Sequence, residues 1–301
     1  MKDGLKGAIC VFLGAASYGI LATIVKYSNH LGIHTSILTV TQFFTGLLFL
    51  TVYAFIKEHN PRAVSATDRR AGRGDKTRLL FWGISLGTTT LCYYLAIQYI
   101  PVSTGIILLM QSIWMSIVLE WLLTGKRIGA RKIAGAVTVL IGTVLATDLV
   151  SANNPVDWRG LLLGLGAAVS YTITMYASSN VANGLPGFVR SKYLVSGGLI
   201  VIALFWNITT FRHFSMEGIG WGVALGVFGT ILPPLCFTAG IPKTGLGLGS
   251  IIASVEIPVS VSSAFLVLHE KVVASQWLGI GIIIAAVVIV NSNKTKAPPG
   301  R

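Results

Sequence analysis

Long apolar runs alternate with short polar interruptions along the whole chain. Ten stretches stand out: residues 7–25, 36–56, 79–100, 102–123, 132–150, 161–182, 188–208, 218–240, 245–268 and 272–290. Most approach the roughly 20 apolar residues that a helix needs to cross a bilayer. They show no period-two alternation and are too long for the strands of a membrane barrel. The pattern therefore predicts an all-α integral membrane protein with ten transmembrane helices.

The ten runs read as one five-span unit written twice, over residues 1–150 and 151–301. Gly7, Ser17 and Tyr18 recur as Gly160, Ser170 and Tyr171. The run from Trp82 to Gly87 recurs from Trp221 to Gly226, and Lys126 to Gly135 lines up with Glu270 to Gly279. A unit with an odd number of crossings must insert its second copy upside down. Two inverted copies facing each other form a secondary-transporter architecture with the substrate site at their interface.

Composition agrees. The chain is 53% hydrophobic and 11% charged, with mean hydropathy +0.75, against about 25% charged residues in soluble domains. The net charge of +13 suggests nucleic acid until the charges are placed. With the N-terminus in the cytosol, nineteen of the 23 Lys and Arg fall on the inner side; Lys26, Arg159, Arg212 and Lys271 fall outside. This positive-inside bias puts both termini in the cytosol and argues against nucleic-acid binding; the expected location is a bacterial inner membrane. Lys2, Lys6 and the following apolar run imitate a signal peptide, but the run is too long and has a repeat partner in mid-chain. The basic loop 58–77 reads as a flexible cytosolic insertion or as a docking segment for anionic lipid. Cys10, Cys92 and Cys236 sit in apolar runs without paired spacing, as small core residues rather than a disulfide or metal site.

Local motifs carry a family resemblance. Leu268-His269-Glu270-Lys271-Val272, followed by Gln276 and Gly279, resembles the Gly-terminated signature of EamA-type members of the drug/metabolite transporter superfamily. Tyr93 to Ile100 is similar to that family's third-span ending, and Lys26 falls where its first span often ends in Lys. The resemblance covers essentially the whole chain, twice. It implies export of a small metabolite, an amino acid or its derivative, or a drug-like compound. The chain departs from the pattern at Lys126 (Glu expected), at Gln42 (often Arg), and at Glu256-Ile257-Pro258, where the family often has Glu directly before Pro.

Glu256 is the leading candidate. It lies near the middle of the ninth span, where a charge is most costly and is functional by default. Ser260 and Ser263 continue a polar stripe, and Pro258 frees the carbonyl of Ser254. Such a group would bind protons or a cationic substrate group; the structural alternative is a protonated carboxyl that packs the bundle. Gln111 and Trp114 share a face of the fourth span, the repeat partner of the ninth, and would contact substrate or only pack between helices. Tyr94, Gln98, Tyr18 and Tyr171 are further binding candidates. Lys26 reads as a rim contact for an acidic group or as a snorkelling side chain. Pro233 and Pro234 must break or kink the eighth span, making with Pro258 candidate hinges or an irregular cavity wall. Glu120 would meet Lys126 or Arg127 near the cytosolic end of its span. Glycine-rich spans five and ten look like scaffold or dimer-facing helices, leaving monomer and homodimer open.

No HExxH, phosphate-binding loop or Cys/His cluster is found, so no cofactor, metal or catalytic residue is expected. The expected partners are a small-molecule substrate and the bilayer, with proton coupling suggested by Glu256. A lipid-linked substrate translocase and a facilitative channel are the alternatives to alternating access. An intramembrane enzyme would need a reactive Ser–His pair at one depth, which the sequence lacks.

Overall fold

A computed structural model describes residues 2–58, 72–100, 102–125, 127–146, 157–269 and 272–292. Residues 59–71 of the basic loop, Lys126, Glu270 and Lys271 lie outside them. All regular structure in the described residues is helical. The chain begins with α1 (Lys2–His30), α2 (Thr35–Glu58) and α3 (Arg73–Tyr99). A broken span follows as α4 (Val102–Met110) and α5 (Ser112–Thr124), then α6 (Ala130–Ala146). The second half opens with α7 (Trp158–Asn180) and α8 (Gly187–Arg212). Next come α9 (Met216–Leu225), a π-helical turn (Gly226–Ile231) and α10 (Leu232–Thr244) in one span. A second broken span, α11 (Leu246–Ala253) and α12 (Glu256–Leu268), precedes α13 (Ala274–Ser292).

Eight of these segments are long and apolar enough to cross a membrane, and α13 adds a shorter apolar stretch, Ala274–Val290. The protein is thus a multi-pass, membrane-embedded helical bundle. Its outer surface agrees: Phe81, Leu204 and Leu266 are 68%, 72% and 68% exposed. In water such a surface would aggregate; in a bilayer it meets lipid tails.

Small residues set the packing where solvent drives none. The crossing of α3 with α8 is reciprocal: a Cβ on Gly83 would run into the Leu194 carbonyl, and one on Gly197 into that of Leu80. Gly142 and Gly279 bring α6 and α13 together in the same way, as expected of glycine-lined interfaces. At the first end of the bundle the start of α1 meets the end of α10, Gly7 lying against Gly240 and Lys243.

Three spans are irregular, each for a local reason. Pro233 and Pro234 lack N–H groups, so the turn before them widens and Leu232 N–H reaches back five residues to Val227 O. That leaves Phe228 O without its usual partner, and Ser17 Oγ of α1 donates to it at 2.7 Å. Pro258 cannot donate to Ser254 O; Ile257 N–H takes that acceptor instead at 3.0 Å, in a tightened turn that separates α11 from α12. In the α4–α5 break, Gln111 N–H turns to Leu108 O, and the Gln111 side-chain amide covers the abandoned Ile107 O at 3.1 Å.

Candidate functional site

A cavity of about 290 Å³ lies between the helices of the two halves. It collects most of the residues singled out in the sequence: Tyr18, Tyr94, Tyr171, Glu256 and Ser260 line it, and Lys26 stands toward its mouth. The mouth is the far end of α1 and the start of α2, where Asn29, His30 and Thr35 complete the lining. Asn29 and His30 are exposed, so the cavity reaches the surface there.

The inner part is aromatic. Tyr18 and Tyr171 meet edge-on with ring centres 6.4 Å apart, Tyr18 leans on Phe237 at 5.7 Å, and Tyr93 and Tyr94 pack at 6.2 Å. Glu256 enters from the first turn of α12, where the Pro258-induced break sets the helix start. Gly19 of α1 passes directly against it: a Cβ there would lie 2.6 Å from the Glu256 carbonyl oxygen. Gly229, in the π turn, likewise leaves room for the Gln42 amide, 2.6 Å from where its Cβ would stand. The widened turn thus forms cavity wall, with Gly229 and Thr230 in the lining.

Four buried polar atoms of this cavity have no hydrogen-bond partner within the protein: Glu256 Oε2, Gln42 Oε1, Tyr94 Oη and Tyr171 Oη. Buried polar groups are normally satisfied. Leaving one bare costs about 1–3 kcal/mol, so four in one concave site mark it as built to receive polar groups.

Several expected residues lie elsewhere. Gln111 and Trp114 do not line the cavity. Trp114 is 43% exposed on the outside, and its indole N–H donates to Gln111 Oε1 at 2.9 Å. With the Gln111 amide serving Ile107 O, the pair is consumed in closing its own helix break. Ser263 leaves the polar stripe to share a hydrogen bond with Thr23 of α1 at 2.6 Å. Pro233, Pro234 and Pro258 are buried and shape the wall without lining it. Glu120 pairs with Lys132 at 2.7 Å rather than Arg127, and its Oε2 also accepts Gly247 N–H at 3.0 Å, capping α11.

Two features escaped the sequence. Gln42 appeared there only as a departure from a family pattern, and its depth was invisible. Arg190 appeared only as an inner-side cation. It is 2% exposed and donates to four carbonyls: Val181, Ala177 and Ser178 at the end of α7, and Thr238 in α10. Thr238 O is the acceptor that Pro242 cannot serve, so one guanidinium replaces a missing backbone donor and caps a helix C-terminus. The signal available was the Pro four residues after Thr238, but nothing in the sequence links it to Arg190.

Comparison with known proteins agrees with this architecture. The model of the EamA-like transporter family matches twice, over residues 5–147 and 158–292. A solved structure titled only "Crystal structure of protein" superposes with TM-score 0.79 at 15% identity, covering 96% of this chain and 98% of the other. At that identity the likeness concerns the fold. Among curated proteins no match is found.

Proposed function

The chain belongs to the EamA-like transporter family, and from that membership we propose that it is a secondary active transporter. It moves a small amino acid-like or drug-like metabolite across the membrane by alternating access, in the export direction, and catalyses no reaction. The observation that carries this reading is the cavity itself: a buried carboxylate and three further unpartnered polar atoms at its inner end, and an opening at one end of the bundle.

Ten spans in two inverted halves fit the packing. Numbering the spans in chain order, contacts of the third with the sixth and seventh are matched by contacts of the eighth with the first and second. Ser17 donates into the eighth span and Ser170 into the third, where it reaches Ser85 O at 2.8 Å. This exchange of roles supports a pseudo-two-fold relation. With both termini cytosolic, the cavity opens outward. Its inner end is then shut by Arg190 and by the Glu120–Gly247 bond, which crosses between the halves. Opening inward would require the latter to part.

Glu256 is the proposed coupling group, taking up a proton when substrate leaves and releasing it when substrate binds. Proteoliposomes containing the purified full-length chain test this. Transport of a metabolite extract, followed by mass spectrometry, should accelerate under an imposed pH gradient. In Glu256→Gln the gradient should lose its effect; undiminished acceleration there would remove Glu256 from coupling. Reporter fusions at each terminus test the orientation.

A further inference from the structure

We propose that the cavity selects an elongated zwitterion of the ω-amino acid type, with a primary ammonium at Glu256 and a carboxylate beneath Lys26. This rests on the cavity's being the transport site and adds the class of substrate it admits.

The inner end asks for hydrogen-bond donors. Of its four unpartnered atoms, Glu256 Oε2 and Gln42 Oε1 are acceptors only, and Tyr94 Oη and Tyr171 Oη accept as well as donate. A primary ammonium brings three donors and one positive charge, whereas a quaternary ammonium brings no donor. The surrounding rings of Tyr18, Tyr93, Tyr94 and Tyr171 suit a cation, which aromatic faces attract. Among the described residues Glu256 is the only carboxylate in the lining.

The mouth has the opposite sign. Lys26 and His30 stand there with Asn29 and Thr35. A simple cation would pass a like charge on its way in; a molecule with an anionic far end would be held by it. The two poles are spaced along α1. Gly19 adjoins the backbone carbonyl of Glu256, and Lys26 follows seven residues later on the same helix, roughly 10 Å along its axis. A substrate that reaches both poles therefore carries its charged groups several bonds apart. An α-amino acid carries both charges on one carbon and cannot engage both poles. Between the poles Leu21, Val25, Leu86, Ile97 and Leu109 provide an apolar wall, suited to a methylene chain.

The test is ligand binding to the purified full-length protein by calorimetry and thermal shift. The probes are γ-aminobutyrate, 5-aminovalerate and 6-aminohexanoate, with norvaline as the α-isomer, pentylamine as the cation alone and pentanoate as the anion alone. The ω-amino acids should bind at least about tenfold more tightly than pentylamine, a gain of about 1.4 kcal/mol, and norvaline should not compete. Lys26→Gln should erase the preference over pentylamine without weakening pentylamine itself. Glu256→Gln should abolish binding of both, and Glu256→Asp, which keeps the charge, should restore part of it. Equal binding of norvaline, an unchanged preference in Lys26→Gln, or no binding by any ω-amino acid overturns the proposal. Failure here is separable from failure of transport. If the proteoliposomes move other metabolites from an extract, the substrate class falls and the transporter reading stands. If they move nothing, the transporter reading falls.

Discussion

The broken helix pairs α4–α5 and α11–α12, the fourth and ninth of the apolar runs read from the sequence, are interrupted at corresponding places, and the two breaks do different things. Gln111 aligns with Val255, Ser112 with Glu256 and Trp114 with Pro258. In the fourth span the break is closed from within: the Gln111 amide takes the exposed Ile107 carbonyl, and Trp114 takes the Gln111 oxygen. In the ninth span the matching carbonyl, Ile251 O, is covered by the Ser254 hydroxyl at 2.6 Å and Ser254 O by Ile257 N–H, so the side chain at the new helix start, Glu256, is free to face the cavity. The same backbone irregularity serves as a sealed joint in one half and as a mount for a carboxylate in the other. Two halves that match one family model therefore need not contribute equally to the site.

The strongest way to break this comparison is to move the carboxylate. A Ser112→Glu, Glu256→Ser double variant should lose all transport in proteoliposomes, because Ser112 is 2% exposed in the bundle and does not line the cavity. It should also fold poorly, since a buried charge without a partner costs several kcal/mol. Recovery of transport would show the halves to be interchangeable. Next in size is Gly19→Ala. Its methyl would meet the Glu256 carbonyl and Val259 at 2.6 and 2.8 Å, backbone and branched carbon that cannot swing aside. A loss of about 1–3 kcal/mol is expected, read as a lower Tm together with weaker substrate protection. Ala at Gly4, where nothing lies within 4 Å, should leave both unchanged.

Tyr171→Phe removes one of the bare cavity hydroxyls and keeps the ring. If substrate uses that hydroxyl, affinity should fall about five- to tenfold, the worth of one neutral hydrogen bond. An increase would mean that the hydroxyl is simply buried at a cost. Gln111→Ala uncovers Ile107 O but touches no cavity atom, so transport per folded molecule should stay within about twofold while stability falls by the worth of one bare carbonyl, about 1–3 kcal/mol, read as a lower Tm. A selective loss of transport would reopen a direct role for the Gln111–Trp114 pair.

The smallest effect lies at the surface near the mouth. His34 stacks on His213 with ring centres 4.0 Å apart and accepts Ser36 N–H through Nδ1 at 3.2 Å, capping α2. Burial, and then the neighbouring His213, hold its pKa below the ordinary 6.5. The folded state thus favours the neutral ring. That contribution is complete above pH 6.5 and is lost as pH falls below it, toward the depressed folded value. Tm should decline on acidification through this window in the parent chain and less so in His34→Asn, which keeps a capping oxygen. Parallel profiles would place the acid sensitivity elsewhere.

How much of this was legible in the sequence follows from range. Apolar run length, glycine spacing and the placement of Lys and Arg are local or additive signals, and the bilayer imposes them strongly. They gave the all-helical membrane character, and the motifs pointed to the family. Glu256 was legible because an ionisable group in mid-span is expensive wherever the helix packs. Pro233, Pro234 and Pro258 were legible as irregularities because a missing N–H acts on its own helix.

Which side chain faces which was a tertiary decision. Gln111 and Trp114 looked like site residues from helical spacing, but spacing does not tell the cavity from the lipid. Glu120 was expected to meet Lys126 or Arg127, and folding chose Lys132 and a backbone N–H from the other half. Gln42 and Arg190 acquired their roles only when α2 met the π turn and α8 met the ends of α7 and α10. The sequence alone determined a membrane bundle with one costly carboxylate. The fold decided what surrounds it, because hydrogen-bond partners and cavities arise from helices distant in the chain, and helix rotation about its axis is set by packing rather than by composition.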